Sequence, residues 1–356
     1  MWRCPRPRFV IALRDDKRAE CPPFQRCGHK PALRFYGTSI MRGMLLRGLA
    51  MGRFNQIVAM ICEKSPFQRK RIQRHLQKRD EAFFQEAEKF AVDYTRYLEG
   101  QGIPLAFAVD AYLGLCNDAM KCLMEFCQTG EYPVNSFPSA FDNIYNNEEK
   151  MKPYMIGLAI SQFLWETHYQ IYSFFIDYVK THRDEIRSYL EIGPGPGLFL
   201  TKALEYIDKK ARVMVVDISP VSINIARSIT DYFMKDRVIA YHTGDFLELA
   251  DDQRYDFIAM GQVLEHVMQP QLLLRKLCGM LNLSGRAFIS TCVNGPAIDH
   301  LYHFRKVGAI RDMIGACGLS VASEKVLPVE DVPMAEVEQK KITINYCAIL
   351  KRTAHA

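Results

Sequence analysis

Residues 191–197 read Glu-Ile-Gly-Pro-Gly-Pro-Gly and follow the short apolar run Tyr189–Ile192. Three glycines spaced two apart just after such a run fit only a sharp turn whose backbone is closely approached, at the end of a strand and the start of a helix. That one heptapeptide predicts an α/β architecture. The chain beyond it agrees: the apolar runs 213–216, 238–242, 257–260 and 287–291 alternate with helical segments. These are βα units, which build a parallel sheet with right-handed crossovers. The rhythm breaks near the end. Residues 318–327 and 341–350 are two strand-like runs joined by a turn-rich, acidic connection, and they predict an antiparallel hairpin at the sheet edge.

The loop also limits its ligand. A dinucleotide fingerprint, GxGxxG, would put its third glycine at 198, where the chain has Leu198. Pro194 and Pro196 offer no N–H, whereas a pyrophosphate cradle is built from such donors. The loop therefore suits a ligand without phosphates. Asp217 ends the second run, twenty residues past Gly197, where a carboxylate can accept from both hydroxyls of a ribose.

With these residues in view, 188–350 resembles a class I S-adenosylmethionine-dependent methyltransferase of the small-molecule branch. The further motifs are Gly244-Asp245-Phe246, the segment from Tyr255 to His266, and Leu283-Ser284-Gly285-Arg286 before the fifth strand. The resemblance implies a Rossmann-like seven-stranded sheet with an antiparallel C-terminal edge hairpin, and S-adenosyl-L-methionine as cofactor. It implies a cofactor site made of Glu191, Gly193, Gly195, Gly197, Asp217, Ile218, Asp245, Phe246 and Gln262, with Asp245 on the adenine amine.

Methyl transfer from a sulfonium is an in-line displacement that mainly requires alignment, and a base only where the acceptor must lose a proton. Two clusters lie at the ligand-binding edge. Asp299-His300-Leu301-Tyr302-His303-Phe304 follows the fifth strand, and His300 and His303 are the candidate catalytic bases. Glu265-His266 follows the fourth. Some ubiquinone-biosynthesis O-methyltransferases hold a metal with this pair and an acid three positions earlier. Here that position is Gln262, a poor ligand for a hard cation, so no metal is expected.

Residues 65–180 show only helical periodicity: a helix starting at Ser65-Pro66 and running to Gly100, a second over 104–127, a turn-rich stretch around Pro133 and Pro138, and a third, aromatic-rich helix over 153–180. They are expected to form a helical cap and substrate domain beside a methyltransferase domain at 186–352. The aromatic stripe from Phe163 to Tyr178 reads as core first and as the roof of a pocket second.

Charge narrows the partners. The net +6 is concentrated in residues 1–50, which hold eleven Lys or Arg against three acids and leave 51–356 at −2. A nearly neutral body lacks the footprint of a nucleic-acid binder, and no apolar run has the length of a membrane span. The basic extension is expected to be disordered, with Met51 a possible initiator. Eleven cysteines without a CxxC pair read as reduced thiols in a cytoplasmic protein. The expected partner is a small, partly apolar or aromatic acceptor, with no nucleic acid and no membrane; nothing in the sequence fixes an oligomeric state. The rival readings are a protein methyltransferase, and a cofactor-binding protein of the same fold that has lost turnover.

Overall fold

A computed structural model describes residues 52–133, 145–250 and 252–353. The basic extension, Met51 as an initiator and the turn at Pro138 lie outside the described residues. The described residues all belong to one compact unit.

Among the described residues, six helices precede the sheet: α1 Arg53–Lys64, α2 Pro66–Leu76, α3 Glu81–Gly100, α4 Leu105–Thr129, α5 Glu148–Leu164 and α6 Glu166–His182. Their ends follow local chemistry. The Ser65 hydroxyl accepts the Gln68 N–H while Pro66 occupies the first helical position, and Asp80 accepts from Phe83. Gly130 closes α4 in the left-handed region, with φ 76°. The helix α1 lies ahead of the expected start at Ser65. Its N-terminal donors on Arg53 and Phe54 are satisfied by the Glu88 carboxylate of α3, at 2.7 and 2.9 Å.

The single aromatic-rich helix expected over 153–180 is two helices, α5 and α6, separated by Trp165. That residue is extended, with φ −106° and ψ 124°. No Gly or Pro marks the break. It is held by tertiary bonds instead: the Trp165 indole N–H donates to the Tyr112 hydroxyl, and Gln162 donates to the His168 carbonyl.

The rest is a seven-stranded sheet, β1 Ser188–Ile192, β2 Arg212–Asp217, β3 Ile239–Thr243, β4 Tyr255–Gly261, β5 Leu281–Val293, β6 Leu319–Pro328 and β7 Ile344–Arg352. It also carries α7 Leu198–Tyr206, α8 Pro220–Phe233, α9 Pro270–Met280, α10 Val307–Ala316 and α11 Met334–Lys340. The order is β3-β2-β1-β4-β5-β7-β6. All neighbours from β3 to β5 pair in parallel, and β7 pairs antiparallel with both β5 and β6. The C-terminal hairpin is present, with one refinement: the antiparallel strand β7 lies inside the sheet, and β6 forms the edge.

Period-two alternation divides the buried side chains between two layers. Tyr189, Phe257, Ala259 and Phe288 face α6, α7 and the cap helices, whereas Leu190, Ile192, Ile258 and Met260 face α9 and α10. The cap thus shares one core with one face of the sheet. Phe175 of α6 stacks on Phe199 at 4.9 Å and tilts against Phe288 at 4.9 Å, and the stripe from Phe163 to Tyr178 packs into that core.

Candidate functional site

The glycine loop turns out of β1 as three left-handed residues, with φ 66°, 52° and 73° at Gly193, Gly195 and Gly197. A Cβ on Gly193 would lie 2.6 Å from Val263, and one on Gly197 2.6 Å from Ile229, so two of the three are fixed by conformation and contact together. Around Gly195 there is room, the nearest atom to a Cβ being the Met155 sulfur at 4.0 Å. The Gly193 N–H donates to Val216 and ties the loop to the tip of β2.

Glu191 is buried on β1, two residues from Tyr189 and on the same face, and the Tyr189 hydroxyl donates to it. Burial pushes its pKa up to about 8, with the Tyr189 and Leu200 donors pulling the other way. Asp217 accepts the Ser219 N–H at 2.8 Å and the Ser222 hydroxyl at 2.6 Å. Burial raises its pKa too, and those two donors moderate the rise. The Ser219 hydroxyl in turn donates to the Tyr145 carbonyl at 2.6 Å, which stitches the end of β2 to the chain entering α5.

A cavity of about 890 Å³ opens over this edge of the sheet. That is near the upper end of what one drug-sized ligand needs, which leaves space for a cofactor and a second molecule. Glu191, Gly193, Gly195, Asp217, Ile218 and Gln262 line it, as does His300. Gln262, at the tip of β4, is itself left-handed with φ 54°. Its N–H and side-chain amide are pinned by Ser290 of β5, at 2.9–3.1 Å.

Four expected residues are not on the cavity wall. Gly197 heads α7, packed on Ile229. The Asp245 carboxylate caps the short turn 246–248 by accepting the Leu247 N–H, and Phe246 is buried in the core on the α9 face of the sheet. His303 stacks on Tyr132 at 4.6 Å and meets Phe126 edge-on at 5.2 Å, with Nε2 2.8 Å from the Asn294 amide oxygen. The reason is local geometry. His300 and His303 are three apart in an irregular segment rather than a helix, so that spacing puts them on different partners.

At the inner end of the cavity lies a polar group that the sequence reading had only in part. His300 Nδ1 is 2.6 Å from the Gly295 carbonyl, so that nitrogen donates and Nε2 keeps its lone pair. Burial and the neighbouring His266 ring, at 4.8 Å, hold its pKa below the ordinary imidazole value. His266 behaves in the opposite way. Burial alone would depress its imidazolium, but the carboxylates of Asp299 and Glu265 outweigh it and the pKa is raised. Its Nδ1 is 3.1 Å from the Asp299 carbonyl and 2.8 Å from the Tyr145 hydroxyl, which donates to the Asp299 carboxylate at 3.3 Å. Asp299 and Glu265 are both buried, and each keeps one carboxylate oxygen without a partner among the described residues. A buried acceptor left open is costly unless a ligand or water supplies the donor.

Tyr145 and Tyr154 are cavity residues that sequence reasoning missed, and Asp299 was placed in the second cluster but given no role. Asp299 carried a signal, being adjacent to His300. The two tyrosines carried none, because nothing in the cap's helical periodicity tells which of its aromatics the sheet edge will meet. Ligand atoms of His266, Asp299 and His300 lie within 4.8 Å of one another, as do those of Glu265, Cys292 and His300. Burial, with Glu265 and Asp299 beside it, pushes the Cys292 thiol well above the usual range. In the other group His266 Nδ1 already contacts Tyr145 and Asp299.

Residues 165–319 match the family model described as a methyltransferase domain. No curated protein matches the sequence. Among solved structures, the chain is similar to the N-methyltransferase NodS from Bradyrhizobium japonicum WM9 in complex with S-adenosyl-L-homocysteine, at 14% identity and a TM-score of 0.44, over 62% of this chain and 99% of that one. It is similar to the mitomycin 7-O-methyltransferase MmcR at 13% identity and a TM-score of 0.47, over 70% of both chains. The Burkholderia thailandensis 1,6-didemethyltoxoflavin-N1-methyltransferase, with 1,6-didemethyltoxoflavin and S-adenosylhomocysteine bound, is similar at 15% identity and a TM-score of 0.45, over 63% of this chain and 93% of that one.

Proposed function

We propose that the chain, whose residues 165–319 match a methyltransferase domain, is an S-adenosylmethionine-dependent methyltransferase that passes the methyl group to a small, partly apolar or aromatic acceptor held under α5. The observation that carries this is the single cavity. It is continuous from the glycine loop, Asp217 and Gln262 to the buried group of Tyr145, Tyr154, His266, Asp299 and His300, and between them it is walled by Met151, Met155, Leu158 and Ile171. Cofactor and acceptor therefore have one space in which the sulfonium methyl and the attacking atom can be aligned.

In this reading Asp217 accepts from the ribose and Glu191 answers the positive charge of the methionine part. An acceptor hydroxyl donates to His300 Nε2, which removes its proton, whereas a protonated amine gives one proton to His300 and keeps another N–H on the open oxygen of Asp299. His300 suits that task because its pKa is depressed and the ring is neutral at pH 7. The raised His266 and its bond to Tyr145 position Asp299. His303 takes no part in proton transfer. The metal-free reading rests on Gln262, which stands where a hard cation would need an acid.

The test is incubation with methyl-labelled cofactor and a metabolite extract, followed by mass spectrometry. Label in a small molecule is the expected result. Label found only in protein would make this a protein methyltransferase. No label at all, with cofactor still bound, would leave a protein that keeps the ligand without the chemistry.

A further inference from the structure

The outer part of the cavity has a charge that methyl transfer does not require. Lys70, Arg71 and Arg74, all exposed on α2, line it together with Phe67 and Gln68. Spacings of three and four residues put Arg71, Lys70 and Arg74 on one helix face. No acid occurs in α2. Neighbouring cations are engaged: Arg69 donates to the Cys62 carbonyl, and Lys78 and Arg79 reach Glu166 at 3.5 and 3.0 Å. Lys70, Arg71 and Arg74 have no carboxylate within 4.0 Å among the described residues, and Arg71 instead lies over the Trp165 ring at 5.2 Å. Three like charges held side by side repel one another, so an anion between them is favoured. The other charges at the opening are Glu330 and Asp331, on the loop after β6, and Asp331 is 3.5 Å from Lys78. His168 brings no charge, since burial and Arg71 take its pKa down to about 4.

Helix α5 gives the distance. Met155 lies against Gly195 at the cofactor loop, and Trp165, under Arg71, is ten residues further on, so the cations stand roughly 15 Å from the glycine loop at 1.5 Å per residue. The wall between them is apolar: Leu115, Met155, Leu158 and Ile171.

Resting on the small-acceptor reading, we infer that the acceptor is an amphipathic anion: its methylated end meets Asp299 and His300, an apolar body lies along α5, and a carboxylate, sulfate or phosphate is held by Lys70, Arg71 and Arg74.

A matched pair of probes tests this on the full chain saturated with S-adenosylhomocysteine: 8-anilinonaphthalene-1-sulfonate and the uncharged N-phenyl-1-naphthylamine, read by fluorescence. The sulfonate is expected to bind at least about tenfold more tightly at low salt, with the preference shrinking as salt is raised. Lys70→Gln/Arg74→Gln should lose most of that preference while keeping the affinity for the uncharged probe and for S-adenosylhomocysteine; Arg71 is spared because it packs on Trp165. Equal binding of the two probes by the natural protein overturns the anion and leaves the small-acceptor reading standing. Binding of neither probe by protein that still holds S-adenosylhomocysteine overturns both. Sedimentation with anionic phosphatidylglycerol vesicles that the double variant loses, without any probe preference, overturns the inference in favour of a membrane-facing helix.

Discussion

Glu191 shows how far one residue's chemistry departs from its sequence. A glutamate before a glycine loop reads as an ionised group, but buried beside Tyr189 its pKa is pushed up to about 8, and at pH 7 most molecules carry the proton. A cofactor with an ammonium and a sulfonium favours the carboxylate, so binding should release close to one proton between pH 4.5 and 8. Calorimetry at pH 7 in buffers of different ionisation enthalpy measures it, and Glu191→Gln should release none. The same linkage has a stability side. Because the folded pKa is raised, the folded state binds the extra proton, and this residue's contribution is fully present below about pH 4.5 and is lost as the pH climbs through 8. At His300 the expected effect is kinetic. His300→Ala should lower kcat by ~10²–10⁴ with cofactor affinity almost unchanged, whereas His303→Ala should leave kcat within a few-fold. Equal losses in the two variants would return His303 to the reaction. Dialysis against a chelator should change nothing; a loss restored by a divalent cation would move the chemistry to His266, Asp299 and His300.

Elements are joined here at backbone contacts that leave no space for a side chain. Gly157 of α5 faces α4, and a Cβ there would lie 2.8 Å from the Ala111 carbonyl oxygen and 3.0 Å from the Leu115 Cβ. Alanine gains up to about 1 kcal/mol of helix propensity over glycine, but overpacking against a rigid backbone costs about 1–3 kcal/mol. Gly157→Ala should therefore be destabilising on balance by about 1–2 kcal/mol in urea unfolding, the reverse of what propensity alone gives. It should also weaken acceptor turnover, since α5 walls the cavity. Most of these elements are legible one at a time: α4 ends at Gly130 as its sequence says, and β1, β2 and β4 lie on their apolar runs. The break at Trp165 and the start of α5 at Glu148 are not. An apolar segment buried on every side shows no single stripe from which a break could be read, and hydrogen bonds from Trp165 to Tyr112 and from Gln162 to His168 decide where it falls.

At the scale of the molecule, cap and sheet share one hydrophobic core. The core runs without interruption from Phe54 and Ile61 of α1 through Phe163 and Phe175 to Phe257 and Phe288 of the sheet. A chain shortened to residues 51–356 should therefore unfold in a single transition and bind S-adenosylhomocysteine as the full chain does; two separate transitions would show that cap and sheet are independent. The sequence by itself determined the sheet, the turn after β1 and the absence of a phosphate cradle, because those depend on short-range facts: strand-length apolar runs, glycines that accept positive φ, prolines that lack an N–H. It also put Asp217 and Gln262 at strand ends. Tertiary structure alone decided that Tyr145 and Tyr154 complete the site, that His300 reaches the cavity while His303 turns to Tyr132, and that Asp245 and Phe246 stand off its wall. Those outcomes depend on groups more than a hundred residues apart meeting across the sheet edge, and on a few ångströms of loop path that no local propensity encodes.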